Sequence, residues 1–156
     1  NLEKSRAVVV YDLPERLNQL KVIIQQGHFE AIYFKNEIAQ PYYLTGSGTR
    51  DQFAKLYKII YQFPEFDIRY KLKELAAYLK IDPILLIKMI QIFEELDFVT
   101  IQDGVMQVNK KAEKKAIENS HIYQELKKTV KEQELMALGT VQEIYDYLIE
   151  KDEFSN

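Results

Sequence analysis

The sequence has no cysteine, no tryptophan and only two histidines, His28 and His121, in 156 residues. Without cysteine there can be no disulfide and no thiolate metal site, which fits a reducing, cytoplasmic setting. Two histidines without clustered carboxylates make a metal or acid–base centre hard to assemble from this chain alone. No apolar run approaches the ~20 residues that a membrane span needs, and no signal-like start is present, so no membrane role is expected. Basic residues do not dominate. There are 21 Lys and Arg against 24 Asp and Glu, a net charge of −3, which argues against a protein that coats DNA by charge. The chain starts at Asn1 rather than at methionine and reads as a piece of something larger. What is present is a 47% apolar fraction, which excludes a disordered chain and can fill a core.

The pattern reads as α+β: an incomplete α/β (βαβ) lobe over residues 1–46, a winged-helix lobe over 49–109, and a helical C-terminal tail over 110–156. In the first region, Ala7–Tyr11 (AVVVY) is the β-branched run of a buried strand. Asp12, Pro14 and Glu15 suit the cap and first turn of a helix carrying Leu17, Leu20, Ile23 and Ile24, which Gly27 ends. Phe29–Phe34 follows as a second strand, and Pro41–Leu44 as a short third. Strand, helix, strand is a right-handed βαβ unit by default. So few strands cannot cover both faces of a parallel sheet, so partner elements are expected upstream of Asn1.

Thr45–Thr49 (TGSGT) is a linker whose last residue opens a capping box with Gln52. Phe53, Leu56, Tyr57 and Ile60 mark the first helix, which ends near Phe63-Pro64. Asp67 caps a second with Ile68, Leu72, Leu75 and Leu79, and Asp82-Pro83 starts a third with Leu86, Met89, Ile90, Phe93 and Leu96. Phe98–Val108 then carries Asp103-Gly104 between two alternating runs, a strong hairpin signal. Three helices and a hairpin make the winged-helix arrangement. Beyond Lys110 two amphipathic helices are expected, one through Ile117, Tyr123, Leu126, Val130 and Leu135, the other through Val141, Ile144, Tyr145 and Leu148, with Gly139 between them.

Glycines before a helix N-terminus resemble a phosphate cradle, but no Gly-Lys-Ser/Thr follows Gly46-Ser47-Gly48, which favours a plain linker. The third helix presents Asp82, Lys88, Gln91, Glu94 and Glu95, an acidic face unsuited to reading the major groove. Basic residues lie instead on the first two helices: Arg50, Lys55, Lys58, Arg69, Lys71 and Lys73. Aromatic residues, among them Phe53, Tyr57 and Tyr61, are interleaved with them. These aromatics fall at core spacing, so the plainest reading is a helix core with a solvated charged face. The same mixture also suits single-stranded nucleic acid, or an acidic peptide with an apolar anchor. The run Lys110, Lys111, Lys114 and Lys115, countered by Glu113 and Glu118, reads as a solvated face.

Three blocks carry a family resemblance: VVVYDLP (Val8–Pro14), TRDQFAKLYKIIYQFPEFDIR (Thr49–Arg69) and FEELDFVTIQDGVMQVN (Phe93–Asn109). In order and spacing they resemble the C-terminal accessory domain of RecJ-type single-stranded-DNA-specific exonucleases of Gram-positive bacteria. The likeness is weakest after about Ser120. It implies a parent exonuclease of the DHH phosphoesterase type, acting in recombination and repair with manganese or magnesium. The catalytic Asp-His-His motif and the other metal-binding motifs of that family are absent from this chain, and its oligonucleotide-binding domain is not recognisable. No catalytic residue, metal ligand or cofactor is therefore carried over. The resemblance implies a noncatalytic module that contacts the rest of the parent chain and a partner such as the tail of single-stranded-DNA-binding protein. Direct binding of single-stranded DNA is the alternative. A winged-helix transcription regulator ranks below both, given the acidic third helix. The tail is acidic, with an apolar end and a free carboxylate, and needs a basic rim around an apolar socket. The set expected to supply it is Arg50, Lys55, Lys58, Arg69 and Lys73 with Phe53, Tyr57 and Tyr61.

Overall fold

A computed structural model describes residues 7–10, 14–19, 21, 31–34 and 38–154, with side chains over 14–19, 21 and 38–150. In chain order the elements are β1 (Ala7–Val10), β2 (Ala31–Phe34), α1 (Tyr42–Thr45), α2 (Arg50–Gln62), β3 (Glu65–Asp67), α3 (Ile68–Leu79), α4 (Pro83–Glu95), β4 (Val99–Gln102), β5 (Val105–Val108), α5 (His121–Leu138) and α6 (Val141–Phe154). A single 3-10 turn, Ile117–Asn119, precedes α5. Helices mixed with small sheets make this an α+β fold. The chain divides into two compact units, Asn1–Tyr43 with Thr129–Asn156, and Leu44–Lys128. Residues 110–156, read from the sequence as one tail, are thus shared between both units.

In the first unit β1 and β2 pair in parallel, Ala7 opposite Ala31 and Val10 opposite Phe34. Parallel neighbours need a crossover, and Leu17, Asn18, Gln19 and Lys21 are helical as expected. The Asp12 cap, Leu20, Ile23, Ile24, the Gly27 stop and the covering of the two strands lie outside the described residues. The third strand expected at Pro41–Leu44 is instead the short helix α1. Pro41 has no N–H to give a ladder. The Tyr42 N–H turns back onto the Gln40 carbonyl at 2.9 Å, and the Tyr43 N–H donates to the Gln133 side chain at 3.3 Å. Leu17, Met136 and Ile144 form the buried core, with Leu135, Tyr147 and Leu148 against it.

The second unit follows its capping signals closely. Thr49 and Gln52 form a reciprocal capping box, with bonds of 2.8 and 3.1 Å, at the start of α2. Asp67 caps α3 and Asp82 caps α4 with Pro83 in its first turn. The hairpin turns at Asp103 (φ 50°) and Gly104 (φ 77°), the pair of positive φ values that a two-residue hairpin requires. A strand not anticipated from the sequence, β3, pairs antiparallel with β5, giving the sheet order β3-β5-β4. Leu56, Leu86, Met89, Ile92 and Phe93 are fully buried between these helices and the sheet.

Glu95 ties the end of α4 to the start of α5. Its carboxylate accepts from the Ser120 hydroxyl, from the His121 and Ile122 N–H groups at 2.9 and 3.1 Å, and lies 3.1 Å from His121 Nδ1. Burial pushes the Glu95 carboxyl up, but the bonds from Ser120, Ile122 and His121 outweigh it and hold the group below its ordinary value. The folded state therefore binds fewer protons here than the unfolded chain does. The stabilisation is complete above the usual glutamate pKa of about 4.3 and disappears as pH falls through the lower folded value. Glu95→Ala should cost about 1 kcal/mol at neutral pH, as for a lost helix cap. The urea midpoints of variant and parent should draw together as pH falls below the usual glutamate value; a separation that does not change with pH would show that the carboxylate is not responsible.

Candidate binding groove

A groove in the second unit gathers part of the sequence-predicted set. Phe53, one turn into α2, is 5% exposed and meets Phe93 and Tyr123 with ring centroids 5.9 and 5.8 Å apart. Gly48 (φ 92°) lets the preceding loop pass tightly over this ring: a Cβ there would stand 2.6 Å from Phe53 Cε2. Tyr57, one turn further along α2, sets its ring edge-on to Phe93 and Phe98, at 6.0 and 5.8 Å. Edge-to-face packing of this kind gives a stiff aromatic wall.

Two adjoining hollows, of about 520 and 750 Å³, open along that wall and share Arg50, Phe53, Lys114, Lys115 and Ile117. The first extends past Tyr57 to Phe98, the second past Gly48 to Tyr123. Arg50, Lys114 and Lys115 form the cationic rim, while Glu113 and Glu118 also line it, so the lining is positive by one charge. Lys115 is held by Asp97 at 3.2 Å. Arg50 and Lys114 form no ion pair among the described residues.

The other expected residues lie elsewhere in the second unit. Tyr61 sits beside Tyr57, 6.0 Å between centroids, beneath the Lys110 ammonium at 5.6 Å. Lys55 pairs with Asp51 at 2.8 Å, and with Lys58 it lines a different cleft beside Tyr78 and Lys80. Arg69 grips Asp67 with two bonds of 3.1 and 2.8 Å and lays its stem over Gly104 at the hairpin turn. That grip holds the Asp67 carboxyl below its ordinary range. Lys73 is exposed on α3. Lys114 and Lys115, read as a solvated run, are the groove residues that the sequence reasoning set aside. No periodicity marks them, because they lie in an irregular segment brought to α2 by long-range packing.

Among the described residues no group of three or more His, Asp or Glu side chains is placed to hold a metal ion, so a divalent metal finds no fitting donor set there. No helix among them is long and apolar enough to cross a membrane. Fold and groove together define a small α+β protein carrying a cationic groove with an aromatic wall. The chain belongs to the family of C-terminal domains of single-strand DNA-specific exonucleases, whose model matches residues 1–148. It is also similar to the single-stranded-DNA-specific exonuclease RecJ of Bacillus subtilis (strain 168), with 25% identity over 141 residues. That match takes in 90% of this chain and 18% of the relative, so the chain spans under a fifth of the curated protein it matches. No solved structure matches it.

Proposed function

We propose that this chain is a noncatalytic, winged-helix-bearing accessory region of a cytoplasmic single-stranded-DNA-specific exonuclease of recombination and repair. The hydrolytic site, with manganese or magnesium, belongs to the rest of the parent chain. The groove takes an acidic peptide with an apolar end, the chemistry of the single-stranded-DNA-binding protein tail. One observation carries this reading: Arg50 and Lys114, without ion pairs among the described residues, flank a hollow walled by Phe53 and Tyr57. Guanidinium and ammonium groups beside an aromatic wall suit an apolar side chain next to a free terminal carboxylate. A few such contacts correspond to micromolar affinity, about −8 kcal/mol. Arg50→Glu with Lys114→Glu should weaken binding of a fluorescent tail peptide tenfold or more, about 1.4 kcal/mol. Unchanged affinity in a folded double variant would end this assignment.

A second reading, direct binding of single-stranded DNA, draws on the cleft of about 480 Å³ that Lys55, Lys58 and Lys80 line together with Tyr78, a residue 73% exposed. Cations around an exposed ring suit phosphates and a stacked base. Oligo-dT would then bind with a steep salt dependence that Lys58→Glu and Tyr78→Ala reduce, while the groove variants leave it intact.

A further inference from the structure

We propose that the groove between α5 and α6 in the first unit docks a cationic amphipathic peptide segment of a partner protein. This inference goes beyond the reading above and uses none of its residues. The hollow measures about 500 Å³, and Leu135, Leu138 and Tyr147 supply its apolar surface. Leu138, the last residue of α5, is 74% exposed, an aliphatic side chain held open at the lip. The end of the groove has a fixed shape. A Cβ on Gly139 would strike the Leu135 carbonyl and stand 2.8 Å from Leu135 Cδ1. Thr140 and Glu143 form a reciprocal capping box, 3.2 and 3.4 Å, that sets the first turn of α6.

Charge identifies the occupant. Glu134, Glu143, Asp146 and Glu150 line the groove against a single cation, Lys131. That ammonium lies 5.7 Å over the Tyr147 ring, and none of the four carboxylates has an ion pair among the described residues. Glu143, Asp146, Tyr147 and Glu150 recur at three- and four-residue spacing, so they share one face of α6 over about 10 Å. An apolar hollow bordered by four carboxylates repels an acidic tail or a phosphate chain. It attracts a segment whose Lys or Arg residues flank an apolar side chain seated against Leu138.

The test uses the full chain and two fluorescent helix-forming peptides of one apolar pattern, leucine with lysine and leucine with glutamate. The lysine peptide should bind and the glutamate peptide should not. Glu134→Lys with Glu150→Lys should weaken the lysine peptide at least about tenfold, and Leu138→Ser should also weaken it. Glu65→Lys with Glu94→Lys, the same charge change in the second unit, should leave it unchanged. If the charge-reversed variant loses its helical circular dichroism, Glu134→Gln with Glu150→Gln replaces it. Equal binding of both peptides overturns the proposal, as does a folded groove variant that binds as tightly as the parent. Because the acidic tail peptide is not used, failure here leaves the reading of the second-unit groove standing, and its failure leaves this one standing.

Discussion

Replacing Phe93 with alanine should cost the second unit about 3–5 kcal/mol, among the largest single-residue losses expected for the described residues. Phe93 is fully buried on α4, and its ring meets Phe53, Tyr57 and Phe98 with centroids 5.9, 6.0 and 5.6 Å away. Removing it deletes the transfer energy of a whole ring, three aromatic contacts and the filler of a close-packed site. Whole-domain stabilities are about 5–15 kcal/mol, so one such loss consumes a large share. Urea unfolding should show a much lower midpoint with little change in slope, and Phe93→Leu should recover more than half of the loss. A shift below about 1 kcal/mol would mean that neighbouring rings close the gap. The same substitution removes the backing of Phe53 and Tyr57. Peptide binding in the second-unit groove should therefore weaken even where the variant is still folded.

The parts of this fold legible in the sequence are those with a local cause. Thr49-x-x-Gln52, Asp67, Asp82-Pro83 and Asp103-Gly104 each satisfy backbone groups within a few residues, and each stands where its spacing dictates. The elements read wrongly or missed have distant causes. β3 is three residues long and exists because Glu65, Phe66 and Asp67 find Gln107, Met106 and Val105 about forty positions away. Pro41–Leu44 looks like a strand by side chain, yet its backbone bonds go to Gln40 and to Gln133. The candidate site divides in the same way. Arg50, Phe53 and Tyr57 share one face of a helix recognisable by its period, and all three line the same hollow. Arg69 stands elsewhere, at the hairpin turn. Asp67 already holds it, a local pairing that its two-residue spacing from a helix cap made available.

Glu132→Ala should damage the first unit strongly, because one buried carboxylate there serves the donors of Arg16, Leu17 and Tyr147. Glu132 is 3% exposed and accepts from Arg16 Nε at 2.8 Å, the Leu17 N–H at 3.3 Å and the Tyr147 hydroxyl at 3.4 Å. Its neighbour Gln133, fully buried, donates to the Gln40 and Glu15 carbonyls at 3.1 and 3.5 Å and accepts from the Tyr43 N–H. Adjacent residues on α5 thus hold chain segments lying 90 to 118 positions away, a bond pattern that no local reading of KEQEL reveals. Breaking a buried ion pair by deleting one partner costs about 3–5 kcal/mol. Arg16 retains 28% side-chain exposure and rehydrates in part, which brings the expected loss to about 2–3 kcal/mol. Glu132→Gln keeps an acceptor for the Leu17 N–H and should lose about half as much. Gln133→Leu keeps the volume but takes its partner from the Tyr43 N–H and one donor from each of the Gln40 and Glu15 carbonyls, and should cost about 1–3 kcal/mol. The two sites share one set of clamped segments, so Glu132→Ala combined with Gln133→Leu should lose less than the sum of the single losses. Chemical denaturation of the four proteins measures this. A fully additive pair would show that Glu132 and Gln133 hold the fold independently, and a Glu132→Ala loss below about 0.5 kcal/mol would show that the buried carboxylate holds nothing at all.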